Sequence, residues 1–317
     1  MHKTIPDHLT DFLDYIEIEK GLSSKTQENY SRFLTKFFKW LKENKLDKLT
    51  PDKLDTDHIW KYKVFLSRHV DPRTRLPLKK STQNYYLIAL RSLLDFFVEK
   101  NISSLPPNKI KLARDKNDKE IKFLKLEQVE RLLSSPNLKN IIGLRDRAIL
   151  ETLFSTGLRV SELVSLDRDQ VRIKNGTDDL EIVVTGKGGK VRTVYFSGRA
   201  IKAIKDYFDR RMDVDEALFI NYRPGSKEST ESRRLTVKSI ENIVKKYIKH
   251  SGLPVMATPH TLRHSFATDL LSNGVDLRLV QEFLGHKNIS TTQIYTHVTS
   301  KQLRDIHKKI HGSRKTK

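Results

Sequence analysis

Apolar residues recur along the first hundred positions at the three-and-four spacing of one helix face. Leu9, Phe12, Leu13 and Ile16 mark a first helix. A second opens at Ser24 or Lys25, with Tyr30, Phe33, Leu34, Phe37 and Leu41 along one side and Lys36, Lys39 and Lys42 elsewhere. A third, shorter helix is predicted over roughly Asp57 to Ser67. A fourth begins at Ser81 or Thr82, both good N-caps, and turns Leu87, Leu90, Leu94 and Phe97 inward. Between the third and fourth lies a basic, proline-bounded loop from Asp71 to Pro77. The expectation is a four-helix unit covering residues 1–105.

Leu105-Pro106-Pro107 ends that pattern, since consecutive prolines cannot continue a helix. Residues 106–122 are Lys-rich and lack an apolar period, which reads as a basic linker. A second domain is expected from Phe123. Helices are predicted at about Glu127 to Ser134 and Leu144 to Phe154, with Gly157 as a left-handed cap and a further helix from Ser161. The period then changes to two. Gln170 to Lys174, Leu180 to Thr185 and Val191 to Phe196 are the expected strands of a small three-stranded antiparallel sheet. Gly186-Lys187-Gly188-Gly189-Lys190 joins the last two as a hairpin tip.

Helices resume from Gly198, interrupted by a polar stretch from Asn221 to Arg234 that reads as an exposed loop. Thr258 then caps a helix with Pro259 at its first position, Asn273-Gly274 closing it. Asp276 caps the next, which stops at Gly285. Ser290 opens another that carries Tyr295, and a tail helix from about Ser300 has Leu303, Ile306 and Ile310 on one face. The fold class expected is mainly α: a helical first domain, then a mixed α+β domain over 123–300, then a C-terminal helix and basic tail over 301–317.

Composition narrows the partner. The chain carries 60 Lys and Arg against 39 Asp and Glu, a net charge of +21. Nineteen basic residues against 14 acidic ones precede Leu105, a net of +5, which leaves +16 for the remainder. Both parts are basic, so the charge is not a detachable tail, and a polyanion is the natural partner. Zero cysteines exclude disulfides and thiolate metal sites. No apolar run approaches the length of a membrane span, and the N-terminus has no signal-peptide core, so a cytoplasmic location without membrane contact is expected.

Candidate chemistry gathers late in the chain. His260 and Arg263 are three apart, on one face of a helix's first turn, where free N–H groups and the dipole already favour an anion. An Arg fork there can hold two phosphate oxygens. His260 is the side-chain type that takes and returns a proton near neutrality. Arg159 follows a Gly-capped helix, and Lys187 sits at the hairpin tip. Taken singly each has an ordinary reading: a salt-bridge arginine, a solvated turn lysine, a half-buried Tyr295. His260 and His264 are spaced like a zinc pair, but Thr261 stands where a metalloprotease helix carries Glu, and no third ligand is suitably spaced. No metal is expected.

Taken together, five stretches resemble the tyrosine recombinases, and in order and spacing the Xer-type members. They are Thr156-Gly157-Leu158-Arg159-Val160-Ser161-Glu162-Leu163, Thr185-Gly186-Lys187-Gly188-Gly189-Lys190, His260-Thr261-Leu262-Arg263-His264, Leu284-Gly285-His286 and Ile294-Tyr295-Thr296-His297. The resemblance implies that the first unit is a SAM-like core-binding domain and the second a catalytic domain. It implies that Tyr295 attacks a scissile phosphate to form a 3′-phosphotyrosyl link and release a 5′ hydroxyl. Arg159, Arg263 and His286 would hold the non-bridging oxygens. Lys187 would protonate the leaving oxygen, His260 would move the tyrosine proton, and Glu162 would support Arg159.

One phosphodiester is exchanged for an ester of similar energy, so no cofactor, ATP or metal is expected. The resemblance further implies duplex DNA with an inverted-repeat site as substrate. It implies a homo- or hetero-tetramer on two sites, a C-terminal helix exchanged between protomers, and a division-associated DNA translocase as a partner. Chromosome or plasmid dimer resolution is the expected role. The alternatives are an integrase of a mobile element with the same chemistry, a topoisomerase, and a DNA-binding regulator that has lost catalysis.

Overall fold

The computed structural model describes residues 3–72, 74–113, 123–173, 180–186, 189–222, 233–253 and 257–285. These fall into two units, one up to Ala113 and one from Phe123.

The first unit contains α1 (Leu9–Ile18), α2 (Ser24–Glu43), α3 (Thr56–Arg68) and α4 (Lys80–Glu99). Each buries the stripe that its periodicity marks: Phe12 and Ile16 from α1, Leu34, Phe37 and Leu41 from α2, Tyr62 and Leu66 from α3, and Leu90, Leu94 and Phe97 from α4. α2 packs on α4 and α1, and α3 closes over α4. Asp55 caps α3 by accepting from the His58 N–H at 2.9 Å. The N-cap of α4 is Lys79, two residues ahead of Ser81, the earlier of the expected hydroxyl caps. Among the described residues no side chain caps α4, but Gln83 ties the incoming chain to its first turn by donating to the Leu78 carbonyl at 2.8 Å.

The second unit is organised around α6 (Ile141–Thr156), whose Ala148, Ile149, Leu150 and Leu153 have no exposed surface. The helix is buried on nearly every side, and its buried charges are paired, Arg145 with Asp146 at 2.6 Å. α6 is covered by α5 (Leu126–Leu133), α8 (Gly198–Phe208), α9 (Val237–His250), α10 (Pro259–Ser272) and strand β2 (Val191–Phe196). β2 pairs antiparallel with β1 (Leu180–Thr185), in a register that sets Ile182 opposite Val194. α7 (Val160–Val164) and α11 (Leu277–Leu284) complete the described elements.

Among the described residues the sheet has two strands, not three. Residues 170–173 form no ladder; the backbone turns there, with the Val171 N–H donating to the Arg168 carbonyl. The pairing partner is taken earlier, at an isolated bridge between Asp167 and Ala217, where Arg168 N–H bonds Glu216 and Leu218 N–H bonds Leu166. The stretch expected as an exposed loop from Asn221 also has anchored ends. Asn221 N–H donates to the Arg233 carbonyl, and Arg234 reaches the carbonyls of Val164 and Leu166. Among the described residues no helix is long and apolar enough to cross a membrane.

Candidate active site

Helix ends build the site. α6 stops because Gly157 turns left-handed, at φ 59°, a conformation that costs glycine nothing. A Cβ there would also lie 2.5 Å from Cδ1 of Phe266 on α10. Glycine therefore serves both the turn and the approach of α10. Two residues later Arg159 is the N-cap of α7. Glu162, at the third position of that helix, reaches back so that Oε2 accepts from the Arg159 N–H at 2.8 Å.

The same carboxylate holds the Arg159 side chain, Nη1 to Oε1 at 2.8 Å, while Nη2 donates to the Gly285 carbonyl at 3.1 Å. Gly285 is the left-handed cap of α11 at φ 60°. Arg159 is thus strung between the start of α7 and the end of α11. Its side chain keeps 27% of its surface exposed, and each terminal nitrogen of a guanidinium carries a second hydrogen.

Arg263 arrives from α10. Thr258 caps that helix by accepting from the Thr261 N–H, with Pro259 at the first position, as expected. One turn in, Arg263 is buried, at 5% exposure. Its terminal nitrogens donate to the carbonyls of Gly157 and Leu284. The two arginines therefore meet at the end of α11, where Arg263 takes the Leu284 carbonyl and Arg159 the next one, Gly285, while Arg263 also holds Gly157, the cap of α6 two residues before Arg159. His260 stands exposed on the first turn of α10. Partial loss of hydration and the nearby charges of Arg263 and Arg159 push its imidazole below the usual range, against a weaker opposite pull from Glu241. His264 is lowered as well, by burial first and then by His260 and Arg263.

Glu162 is the acidic hub. Its side chain is 4% exposed, and burial alone would raise its carboxyl. Arg192 and Arg159 overcome that and hold it at about 2. Arg192 lies on β2 and was not among the residues singled out from sequence. Its terminal nitrogens grip both Glu162 oxygens at 2.9 and 2.8 Å, and Nε donates to the Phe283 carbonyl at 3.2 Å. A signal for it existed. Positions 192, 194 and 196 share the face on which Val194 and Phe196 are buried, and an arginine on an apolar strand face needs a buried anion.

The structure brings together Arg159, Glu162, His260 and Arg263. Lys187, His286 and Tyr295 lie outside the described residues, as does the tail helix. The flanks of two of them are placed. A Cβ on Gly186 would lie 3.1 Å from Glu162 Oε1, and Gly285 accepts from Arg159. Among the described residues no three His, Asp or Glu side chains converge as a metal cluster. The arrangement is two guanidiniums held from behind by carbonyls and a carboxylate, with one exposed imidazole at a helix start.

Residues 122–302 match the phage integrase family, and residues 9–101 match the phage integrase N-terminal SAM-like domain. The chain is 37% identical over 315 residues to tyrosine recombinase XerD of Listeria innocua, covering 96% of this chain and 98% of that one. It is 34% identical over 319 residues to tyrosine recombinase XerC of Pelotomaculum thermopropionicum, covering 96% of this chain and 97% of that one. In fold it is similar to the XerH site-specific recombinase solved on its palindromic difH substrate after cleavage. That likeness has a TM-score of 0.70 at 24% identity, over 95% of this chain and 84% of that one. The Tn1549 transposon integrase bound to transposon right-end DNA also gives 0.70, at 16% identity over 96% and 99%. With both units matched and relatives alike along nearly their whole length, the chain belongs to the phage integrase family, among its Xer-type tyrosine recombinases.

Proposed function

We propose that the protein is a site-specific DNA recombinase that cuts and rejoins duplex sites through a 3′-phosphotyrosyl intermediate. The observation that carries this reading is the pair Arg159 and Arg263. They lie more than a hundred residues apart in sequence, yet both are locked to adjacent carbonyls at the end of α11, and Arg263 also holds the cap of α6. Guanidiniums fixed in advance need no reorganisation when charge crowds onto a phosphate. In this mechanism the Tyr295 oxygen attacks phosphorus and passes its proton towards His260. The bond to the 5′ oxygen breaks, and Lys187 supplies that oxygen's proton. Arg159, Arg263 and His286 hold the non-bridging oxygens, and Glu162 fixes Arg159. Reversal with a 5′ hydroxyl from the partner duplex rejoins the strands.

The Xer relatives favour dimer resolution over mobile-element integration. The full assignment takes residues 1–105 as the core-binding domain, 106–122 as a basic linker, 123–300 as the catalytic domain and 301–317 as a helix and tail exchanged between protomers. It further comprises a cytoplasmic homo- or hetero-tetramer on two inverted-repeat sites, a role in chromosome partition at cell division, and a division-associated DNA translocase as partner. The net charge of +21 supports the DNA partner.

The test is selection of bound duplex DNA, followed by a nicked substrate carrying the selected site. A covalent protein–DNA adduct is expected, resistant to chelators and abolished by Tyr295→Phe with binding intact. An adduct that survives Tyr295→Phe removes the nucleophile assignment.

A further inference from the structure

Arg192 comes from the hairpin strand, not from any of the helices that carry Arg159, His260 and Arg263. We infer that Arg192 is a positioning residue for strand cleavage, a strut that registers the β1–β2 hairpin against Arg159 and the end of α11. The inference deepens the recombinase reading and rests on it.

Three contacts define the strut. Two of its nitrogens hold the two oxygens of Glu162, which in turn bonds the backbone and the guanidinium of Arg159. The third, Nε, holds the carbonyl of Phe283, in the last turn of α11. Its methylene stem closes the remaining gap, since a Cβ on Gly285 would lie 2.8 Å from Arg192 Cδ. One side chain therefore touches the partner of Arg159, the helix that leads to residue 286, and the glycine whose carbonyl Arg159 uses. Its own strand begins immediately after the Gly186–Lys190 turn, which the Gly186 N–H to Lys190 carbonyl bond closes at 2.6 Å. Lys187 lies within that turn in sequence.

Fork geometry is essential to this arrangement. A planar guanidinium meets a carboxylate with two parallel bonds and still has Nε for a third direction. A lysine ammonium keeps the charge but cannot keep both the register with Glu162 and the bond to Phe283. Arg192 itself has only 10% of its side chain exposed, so its action on the reaction runs through Glu162 and α11.

The test uses the full chain on the nicked duplex carrying its selected site, with Arg192→Lys, Arg192→Gln and Arg192→Ala compared with the parent protein. Single-turnover adduct formation at saturating DNA should fall about 100-fold in Arg192→Gln, the scale set by misplacing a reacting group by an ångström. DNA affinity should stay at the parent value, Arg192→Lys should fall between, and added ethylguanidinium should restore part of the rate to Arg192→Ala. Parent rates in folded Arg192→Gln and Arg192→Lys overturn the proposal. So does a loss that follows the unfolded fraction alone, with no response to ethylguanidinium in any variant. If Arg192→Ala does not fold, the Lys and Gln variants carry the comparison. A parent protein that forms no adduct, or forms it with Tyr295→Phe, defeats the recombinase reading instead, so the two failures are told apart.

Discussion

The guanidinium of Arg263 donates to the carbonyl of Gly157, the residue at which α6 turns away two positions before Arg159. That bond couples the candidate site's two arginines through backbone. Anything that shifts the α6 terminus moves the seat of Arg263 and the root of Arg159 together.

Gly157→Ala tests the coupling. The residue sits at φ 59°, and its new Cβ would meet Phe266 Cδ1 at 2.5 Å. The left-handed backbone alone costs a non-glycine residue about 1–3 kcal/mol. Chemical denaturation should show at least that loss, and adduct formation should fall with it. Adding Phe266→Leu should recover the steric share and leave the backbone share. Full recovery by Phe266→Leu would mean that the turn itself is unstrained.

Arg263→Ala should fail twice. Cleavage should lose about 10²–10³ in rate, the usual consequence of deleting one preorganised donor. Stability should fall because the carbonyls of Gly157 and Leu284 lose their donor, at about 1–3 kcal/mol for each buried group left unsatisfied. Arg263→Lys keeps a charge but spans only one carbonyl, and should recover stability more than rate. Urea unfolding and single-turnover cleavage separate the two effects.

The helical framework was legible because its information is local. Period, proline and cap residues at Thr258, Asp276, Gly157 and Gly285 each act within a turn of the backbone they govern. The third strand failed because alternation over only five residues from Gln170 is too short to separate a strand from a turn. The choice was made by Leu166 and Asp167 pairing across to residues 216–218. Arg159, Glu162, His260 and Arg263 were legible as members of a pattern. Their wiring was not, because the partners of Arg263 are carbonyls, and every residue has one. Arg192 escaped notice because a strand's alternation shows which face it lies on, not which carboxylate arrives there from another element.

His260 should act as a proton acceptor at neutral pH. Partial loss of hydration, Arg263 and Arg159 lower it from 6.5, with Glu241 opposing. The neutral ring therefore persists below the pH at which a free imidazole charges. Cleavage should hold its rate as pH falls through 6.5 and decline only further down, a limb absent from His260→Ala. His264→Gln controls for the neighbouring ring. A rate that halves at the ordinary imidazole value contradicts this placement.

Glu162→Gln should change the acid stability of the protein in a defined window. The carboxyl titrates near 4.5 when unfolded and at about 2 when folded, where Arg192 and Arg159 outweigh its burial. A lowered folded value means that the unfolded chain takes up the proton first. The stabilisation is therefore complete above 4.5 and is lost as pH falls towards 2. The shift corresponds to a contribution on the order of 3 kcal/mol. Glu162→Gln should be less stable than the parent protein at pH 7, because two guanidiniums lose their counter-charge. The difference should shrink as the parent carboxylate is protonated at low pH. Unfolding curves across that range decide it: a difference independent of pH would mean that Glu162 acts by its shape and hydrogen bonds, not by its charge.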